Sequence, residues 1–263
     1  MSDYDQATVQ RIAAFSDGGI GGNPAGVVID RQGLDEQTMR QIARDVGFSE
    51  TVFAVPDNDA WRVRYFSPES EVPFCGHATI ALGAALAPAH GDGSFALNLN
   101  AAKITVEGRK EGSLVAASLQ SPGTHSAAAD SALVDDALRL FDYTHQDIDE
   151  RIPPALAHAG ANHLIMALAS RERLSRTHYD LDAGRDFMNR IGVATISLLY
   201  SEDRKIFHSR NAFASGGVYE DPATGAAAAA LAGYLRDIDW PRTGEICITQ
   251  GEDMGSARAC AQS

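Results

Sequence analysis

Three short segments of the sequence carry acidic, imidazole or thiol side chains inside or just after a glycine-containing stretch, in a way that suits proton transfer. They are Ser49-Glu50-Thr51, the segment Pro73–Thr79 with Cys75 and His77, and the segment Glu220–Gly225 with Asp221. Carboxyl and imidazole groups are common general acids and bases. Taken singly, a solvated carboxylate at Glu50, a helix cap at Asp221 and a buried imidazole at His77 explain the residues as well. The chemistry therefore depends on whether the fold brings these groups together.

The second and third segments each lead into a run of small apolar residues, which predicts buried helices at 76–87 and 225–236. The first turn of a helix leaves backbone N–H groups without intrahelical partners, and the helix dipole has its positive end there. Such an end can bind a carboxylate whatever the net charge of the protein. We therefore predict that an anionic substrate binds at the helix starts formed by Gly76, Ala78, Gly225 and Ala226.

Charge and hydropathy exclude several classes of partner. The 263 residues include 22 Lys and Arg against 35 Asp and Glu, a formal net charge of −13, which would repel nucleic acid but does not exclude a small anionic metabolite as ligand. The longest apolar run, Ala226–Leu235, is far shorter than the roughly 20 residues that cross a bilayer. Because the first residues also lack a signal-peptide pattern, we expect a cytoplasmic protein with no membrane partner. The three cysteines have no zinc-binding spacing, so no metal is predicted.

Apolar spacing predicts a β-rich first half with one amphipathic helix. Four apolar residues recur at helical intervals between 35 and 46, and Gly47 ends this helix. The predicted strands are 10–15, 25–29, 51–55, 61–66, 95–99, 103–107 and 114–119. The polar turn 57–59 makes a hairpin of the strands on either side of it, and the glycine-rich stretch 18–24 predicts a loop.

The second half repeats this order of elements. Residues 120–132 are rich in Ser, Ala, Gly and Pro, which predicts a boundary between a domain of 1–122 and a domain of 123–263. The predicted helices of the second domain are 133–141 and 182–191, and its predicted strands are 161–169, 196–200 and 205–210. Gly76 and Gly225, which open the two apolar helices, lie 149 positions apart. A duplicated unit, with a central helix inside a wrapped sheet, accounts for this repeat.

Five segments resemble, in order and spacing, the phenazine-biosynthesis (PhzF-like) isomerase family. They are Gly22-Asn23-Pro24, Ser49-Glu50-Thr51, Pro73–Thr79, Arg210-Asn211 and Glu220–Gly225. The resemblance implies an α+β fold of the diaminopimelate-epimerase type, in which two pseudo-symmetric halves each wrap a β-sheet around a central helix. It also implies that the two helix N-termini face one cleft and that the protein is a homodimer.

The resemblance makes Glu50 the catalytic acid/base, with His77 and Asp221 beside it as orienting groups and Ser49 among the substrate-binding residues. It implies a metal-free isomerase without a cofactor, which shifts a proton on a small, unsaturated, carboxylate-bearing metabolite, as trans-2,3-dihydro-3-hydroxyanthranilate isomerase does. A carboxyl group that takes and returns a proton suffices for such a reaction. One departure concerns the substrate, because Ala226 stands where the phenazine enzyme carries a serine.

Two other functions stay open on the sequence. Amino-acid epimerases of this fold use two opposed thiols, one before each central helix. Cys75 matches the first position, whereas the second falls near Pro222, which has no exchangeable proton. Cys75 is then interpreted as a small buried residue, with a mixed pair of Glu50 and Cys75 as the alternative. A non-catalytic, protein-binding scaffold is the other possibility, which the presence of Glu50, His77 and Asp221 disfavours.

Overall fold

A computed structural model of the protein describes residues 9–16, 21–100, 102–240, 244–254 and 259–262. The chain forms two compact units that divide between Gln120 and Ser121, with Gly21 and Gly22 grouped with the second unit. The boundary predicted after residue 122 lies two residues from this division. Each unit is built on one eight-stranded sheet.

The first unit has one helix on each face of its sheet. Its strands are β1 (Gln10–Ala14), β2 (Asn23–Ile29), β3 (Thr51–Asp57), β4 (Ala60–Phe66), β5 (Glu71–Val72), β6 (Gly93–Asn98), β7 (Lys103–Glu111) and β8 (Leu114–Leu119), and its helices are α1 (Glu36–Val46) and α2 (Gly76–His90). The strand order is β1-β2-β3-β4-β6-β7-β8, and the two-residue β5 pairs with β4. Strands β3 and β4 form the predicted hairpin, with Asn58 at φ 54° in its turn.

Helix α1 is the predicted amphipathic helix, and its two ends are well defined. Asp35 caps the N-terminus by accepting from the Thr38 N–H, and Gly47 ends the helix in the left-handed conformation at φ 71°. The apolar face of α1 packs on Phe53 and Phe66. The glycine end returns the chain to the sheet within four residues, at the start of β3.

Helix α2 is buried on most sides and packs against β1, β2, β3, β6, β7 and β8. Its closest approach is to β7, where a Cβ on Gly108 would lie 2.4 Å from the carbonyl oxygen of Gly83. A Cβ on Gly83 would lie 2.6 Å from Val106. Glycine at these two positions therefore lets helix and strand come together, as the composition of the helix predicts. The helix runs to His90, beyond its predicted end at 87.

The second unit repeats this arrangement around α6. Its strands are β9 (His125–Ala128), β10 (Ala155–His158), β11 (Asn162–Leu168), β12 (Thr195–Ser201), β13 (Ile206–Ala212), β14 (Glu220–Asp221), β15 (Cys247–Gln250) and β16 (Ala259–Gln262), and its helices are α3 (Ser131–Leu140), α4 (Arg171–Ser175), α5 (Leu181–Ile191) and α6 (Gly225–Asp237). The strand order is β16-β15-β13-β12-β11-β10-β9, and β14 pairs with β13. Residues of β11 alternate between the faces, because Leu164 and Met166 pack with α3, α4 and α5 whereas Ile165 and Ala167 pack with α6.

The two sheets share one pattern of strand directions. In the first unit β2–β3 is parallel, β3–β4 and β4–β5 are antiparallel, β4–β6 is parallel and β6–β7 is antiparallel. The second unit gives the same series through β11–β12, β12–β13, β13–β14, β13–β15 and β15–β16. Helices α2 and α6 follow the two-residue strand at the same point of each series. The predicted α+β fold of two similar halves is thereby confirmed.

Several local predictions are corrected. Asn23 and Pro24 begin β2 instead of ending a loop, because they pair with Ala14 and Ala13 of β1. Residues 18–20 of the predicted loop lie outside the described residues. Residues 125–128, inside the predicted linker, form β9, which is held by pairing with β10 and has no apolar alternation of its own. The sequence analysis also missed β10 and the five-residue α4, which are short.

The longest helix that the structure describes, α2, has 15 residues. None of the described helices combines the length and the apolar character needed to cross a bilayer.

Candidate active site

Glu50 is held by backbone contacts at the junction of α1 and β3. Gly47 ends α1, and β3 begins at Thr51. The carbonyl oxygen of Glu50 accepts a hydrogen bond of 3.2 Å from the N–H of Gly26 on the parallel neighbour β2. The Glu50 side chain is 16% exposed, so it is largely withdrawn from water while remaining accessible. The main chain thus fixes the position from which this carboxylate acts.

The imidazole of His77 lies against Glu50 on one side and against a thiol on the other. Its Nε2 is 3.5 Å from Glu50 Oε2 and 3.4 Å from Ser49 Oγ, and its Nδ1 is 3.2 Å from Cys75 Sγ. Burial lowers the pKa of His77 below its ordinary value, against the opposing effect of the Glu50 charge. His77 is therefore a neutral imidazole at neutral pH, with one N–H and one acceptor nitrogen.

A neutral His77 connects the carboxyl group to the thiol in a defined way. When Nε2–H faces the Glu50 carboxylate, Nδ1 is an acceptor and the Cys75 S–H donates to it. When Glu50 is protonated and donates to Nε2, the hydrogen must sit on Nδ1 instead. A proton on Glu50 Oε2 is thus compatible only with the Nδ1–H tautomer of His77, whereas a proton on Oε1 leaves the imidazole and the thiol unchanged.

The start of α2 adds backbone donors beside this group. Cys75 is the N-cap residue, its side chain does not cap the helix, and the first turn carries no acidic residue. Thr79 supports the junction, because its hydroxyl donates to the Cys75 carbonyl at 2.7 Å. The first-turn N–H groups, those of Gly76 and Ala78 included, are suited to bind an anion.

Glu50, Cys75 and His77 also have the chemical makeup of a metal site. Each residue offers one ligand atom, and these three atoms all lie within 4.8 Å of one another. Within the described part of the chain, the three residues are thus a possible set of metal ligands. Thiolate and imidazole favour zinc and similar ions. The expectation that the protein works without a metal stays a prediction.

In the second unit Asp221 lies on β14, paired with Asn211 of β13. Its Oδ2 accepts a hydrogen bond of 2.6 Å from the hydroxyl of Thr224, the N-cap residue of α6. Gln250 of β15 donates from Nε2 to the Asp221 carbonyl at 2.7 Å and to the Thr224 hydroxyl at 3.1 Å. Gly225 follows Thr224 as the first residue of α6, whose N-terminus has no side-chain cap among the described residues.

The structure gathers the predicted site residues into two sets. Ser49, Glu50, Cys75 and His77 come together at the start of α2, with Gly76 and Ala78, and Asp221 lies at the start of α6, with Gly225 and Ala226. The common action of the two sets on one substrate stays a prediction. Thr224 and Gln250 were missed as site residues. Thr224 lies inside the third segment and could have been found there, whereas Gln250 carries no signal in the sequence.

The counterpart of Cys75 is corrected by the helix starts. Each central helix begins at its glycine, and the residue before it is Cys75 in one unit and Thr224 in the other. The second position is therefore Thr224 and not Pro222. A threonine hydroxyl that donates to Asp221 is not a thiol base, so the argument against two opposed thiols still holds.

Comparisons with known proteins agree over nearly the whole chain. The sequence profile of the phenazine biosynthesis-like protein family (PhzC-PhzF) matches residues 12–259. An uncharacterized isomerase of Mesorhizobium japonicum is 34% identical over 271 residues, covering 96% of this chain and 86% of that protein. The trans-2,3-dihydro-3-hydroxyanthranilate isomerase of Pseudomonas chlororaphis is 33% identical over 250 residues, covering 93% of this chain and 85% of that enzyme. A solved structure, the PhzF-family phenazine biosynthesis protein of Bacillus anthracis, matches with a TM-score of 0.83 at 24% identity, over 97% of this chain and 88% of that one. The profile and the first relative together establish that this chain belongs to the phenazine biosynthesis-like (PhzC-PhzF) family.

Proposed function

We propose that this protein is a cofactor-independent isomerase that shifts a proton on a small, unsaturated, carboxylate-bearing metabolite, with Glu50 as the acid/base. The observation that carries the proposal is the approach of Glu50 Oε2 to Nε2 of the buried His77, at 3.5 Å. Such a separation is longer than a formed hydrogen bond and is common in catalytic pairs before substrate binds. A cap or a surface acid would have no buried imidazole beside it.

The reaction needs only one group that takes and returns a proton. The Glu50 carboxylate removes a proton from a carbon beside the unsaturated bonds, and the electron pair moves along them. The resulting carboxylic acid then returns the proton to a carbon further along the skeleton. Nothing is oxidised or reduced and no group is lost, which is why no cofactor is required. Neutral His77 contacts the Glu50 carboxylate through Nε2 and holds it in position, and neither His77 nor Cys75 needs to gain or lose a proton in this step.

The carboxylate of the substrate binds to backbone donors in this proposal. The first-turn N–H groups of α2 and α6 supply them, at Gly76, Ala78, Gly225 and Ala226, and the hydroxyl of Ser49 adds a side-chain donor. Asp221 is the orienting group of this proposal. Membership of a family with named isomerases supports this assignment, as does the identical order of elements in the two units.

Trans-2,3-dihydro-3-hydroxyanthranilate is the first substrate to test. The wild-type protein, Glu50→Gln and Glu69→Gln are each incubated with it in D2O, and product and deuterium incorporation are followed by NMR and mass spectrometry. Glu69 is an exposed carboxylate of the same unit and serves as the matched control. We expect conversion by the wild type and by Glu69→Gln, and loss of conversion in Glu50→Gln. Wild-type turnover by Glu50→Gln would remove Glu50 from the mechanism.

Epimerisation of an amino or imino acid is the second candidate function. The 3.2 Å contact between Cys75 Sγ and His77 Nδ1 favours it, because it gives the thiol a partner that can accept its proton. Glu50 and Cys75 would then be the two bases. Both reactions introduce solvent deuterium, but only epimerisation leaves the carbon skeleton and its double bonds unchanged. Cys75→Ser would abolish epimerisation and would leave the proton shift by Glu50 in place.

A scaffold without catalysis makes a different prediction. It would incorporate no deuterium into any member of a metabolite extract, whether Glu50 is present or replaced by Gln. The homodimer is a separate proposal, supported by the edge strands β1 and β8, which each have one neighbouring strand among the described residues of the first unit. Scattering or sedimentation at micromolar concentration tests it, and a mass near 28.0 kDa would exclude it.

A further inference from the structure

A continuous line of hydrogen-bonded polar side chains, most of them buried, crosses the second sheet and ends at Asp221. Its members are His163 on β11, Thr195 on β12, Asn211 on β13, Gln250 on β15 and Thr224 before α6. The first four are 1%, 2%, 1% and 5% exposed in that order. Buried polar groups are costly unless each finds a hydrogen-bond partner, so the direction of every bond in the line can be worked out.

Two backbone groups fix the orientation of the Gln250 amide. The Thr224 N–H can only donate, and it contacts Gln250 Oε1 at 3.3 Å. The Asp221 carbonyl can only accept, and it contacts Gln250 Nε2 at 2.7 Å. Oxygen and nitrogen of this amide therefore cannot be exchanged.

The orientation of Gln250 sets every bond between it and His163. Asn211 must donate from Nδ2 to Gln250 Oε1, at 3.1 Å, so its Oδ1 accepts from the Thr195 hydroxyl at 3.1 Å. The Thr195 hydroxyl has one hydrogen, which it donates to Asn211, so it can only accept in its 2.8 Å contact with His163 Nδ1. His163 Nδ1 must therefore carry a hydrogen and donate it.

The far end of the line is consistent with this direction. Nε2 of His163 is an acceptor in that tautomer, and it has no partner among the described residues. Burial lowers the pKa of His163 to about 4, which keeps the ring neutral at neutral pH.

The same reasoning continues toward Asp221. Gln250 Nε2 donates to the Thr224 hydroxyl at 3.1 Å, and that hydroxyl donates in turn to Asp221 Oδ2 at 2.6 Å. All donors thus point toward Oδ2 of Asp221, which accepts the last hydrogen bond of the line. A hydrogen bond donated to Oδ2 is stronger when Asp221 carries its negative charge, so the line favours the ionised form of Asp221.

We propose that Thr224, Gln250, Asn211, Thr195 and His163 are positioning residues that hold Asp221 as an oriented, ionised acceptor, so that it recognises an N–H or O–H group of the substrate. In this role Asp221 does not carry the proton of the reaction. The identity of the ligand rests on the proposed function, whereas the orientation of Asp221 does not.

The test reads the charge of Asp221 directly. The protein is labelled with ¹³C at aspartate carboxyl carbons, the Asp221 signal is identified by its loss in Asp221→Asn, and its titration is followed by NMR. We expect Thr224→Val to move the titration of Asp221 to higher pH, and Thr195→Val to move it the same way by less, although Thr195 does not touch Asp221. Thr195→Ser, which restores a hydroxyl, should restore the wild-type titration.

Thr177→Val is the matched control. The Thr177 hydroxyl is buried in the same unit and bonds to the Tyr143 hydroxyl at 2.6 Å, outside the line. It should lower the melting temperature as Thr195→Val does while leaving the Asp221 titration unchanged. An Asp221 titration that is the same in Thr195→Val as in the wild type would overturn the proposal. So would an equal shift in Thr177→Val.

Kinetics add a readout that depends on the substrate. On a substrate that the wild type converts, Thr195→Val should raise KM several-fold with little change in kcat, and should move the acid limb of kcat/KM to higher pH. An unchanged KM would count against the role in recognition. If the wild type converts no substrate, the proposed function fails, while the titration still decides whether the line orients Asp221.

Discussion

The two units place opposite kinds of side chain at equivalent positions of one topology. In the first unit Tyr65 of β4 pairs with Val72 of β5, and in the second Asn211 of β13 pairs with Asp221 of β14. The carboxylate of the second unit thus has an apolar counterpart in the first. A buried hydrogen-bonded line leads to Asp221, whereas β-branched Val72 needs none.

The converse holds for the proton-exchanging groups. Val52 of the first unit pairs with Tyr65 in the way that Ser197 of the second unit pairs with Asn211. Glu50 lies two residues before Val52, and Thr195 lies two residues before Ser197, so Glu50 and Thr195 occupy equivalent positions. Likewise His77 follows the first residue of α2 as Ala226 follows the first residue of α6. The groups proposed for proton transfer, Glu50 and His77, lie in one unit, and the hydrogen-bonded line that ends at Asp221 lies in the other. Two units of one topology thus carry different polar side chains at equivalent positions.

The largest expected effect separates the two carboxylates by kinetics. Glu50→Gln should lower kcat by a factor on the order of 10²–10⁴, with substrate binding retained, because only the transition state loses its proton carrier. Asp221→Asn should raise KM and lower kcat together, with a smaller loss in kcat. Steady-state kinetics of both variants, measured on a substrate that the wild type converts, tests this order of effects. The reverse order of severity would assign the proton to Asp221.

The second comparison concerns the two buried imidazoles as the pH falls. In the unfolded protein the His163 side chain binds a proton when the pH falls below its ordinary pKa of 6.5. In the folded protein it does so only below a pKa of about 4. Between pH 6.5 and 4 the unfolded state binds more protons than the folded state. The free energy of unfolding therefore decreases as the pH is lowered, and His163 accounts for at most about 3 kcal/mol of this decrease. His77 acts in the same direction, because burial lowers its pKa also.

Urea unfolding at pH 7, 6, 5 and 4 measures this effect. His163→Asn can keep a donor near Thr195 but does not titrate, so its stability should fall less steeply than that of the wild type between pH 6.5 and 4. The difference between the two curves isolates His163 from the carboxylates that both proteins share. Parallel curves would show that the pKa of His163 is the same in the folded and the unfolded protein, which contradicts the prediction.

The third comparison concerns the close packing of the two central helices. Gly108→Ala would bring a Cβ within 2.4 Å of a backbone oxygen, and Gly233→Ala within 2.5 Å of the Thr124 side chain. A backbone atom yields less than a side chain, so we expect Gly108→Ala to lower the free energy of unfolding by about 1–3 kcal/mol and Gly233→Ala by less. Gly93→Ala, at a position with nothing within 4 Å, is the control and should change it little. Equal losses at Gly108 and Gly93 would mean that the close approach is not required.

Motifs and periodicity predicted the elements that depend on their own residues. The amphipathic α1, with its left-handed Gly47, and the hairpin with a polar turn are confirmed because their side-chain spacing and turn chemistry are local. The short strand 125–128 was missed because its stability comes from pairing with β10, which leaves no trace in an Ser- and Ala-rich segment. The spacing of apolar residues predicts elements that are stabilised by their own side chains, whereas an edge strand such as β9 is stabilised by pairing with a neighbouring strand.

The site was predictable only in part for a similar reason. Glu50, Cys75 and His77 lie in segments that stood out by composition, and they do come together. Gln250 and His163 act from strands that look like ordinary core, and only the register of four strands brings them into one line with Asp221. Such a line joins residues from 163 to 250 of the chain, a separation that no spacing rule covers.

The smallest expected effect is that of removing metal. Glu50, Cys75 and His77 offer ligand atoms within 4.8 Å of one another, yet the proposed proton shift needs Glu50 to gain and lose a proton, which a bound cation would prevent. Dialysis against a chelator should therefore leave the rate unchanged. Excess Zn²⁺ should inhibit, because zinc binds thiolate and imidazole, and Cys75→Ser should weaken that inhibition by removing the thiolate ligand. The rate is measured before dialysis, after it and with zinc restored. A loss of activity on chelation that zinc reverses would make the three residues a working metal centre and would replace the mechanism in which Glu50 acts alone.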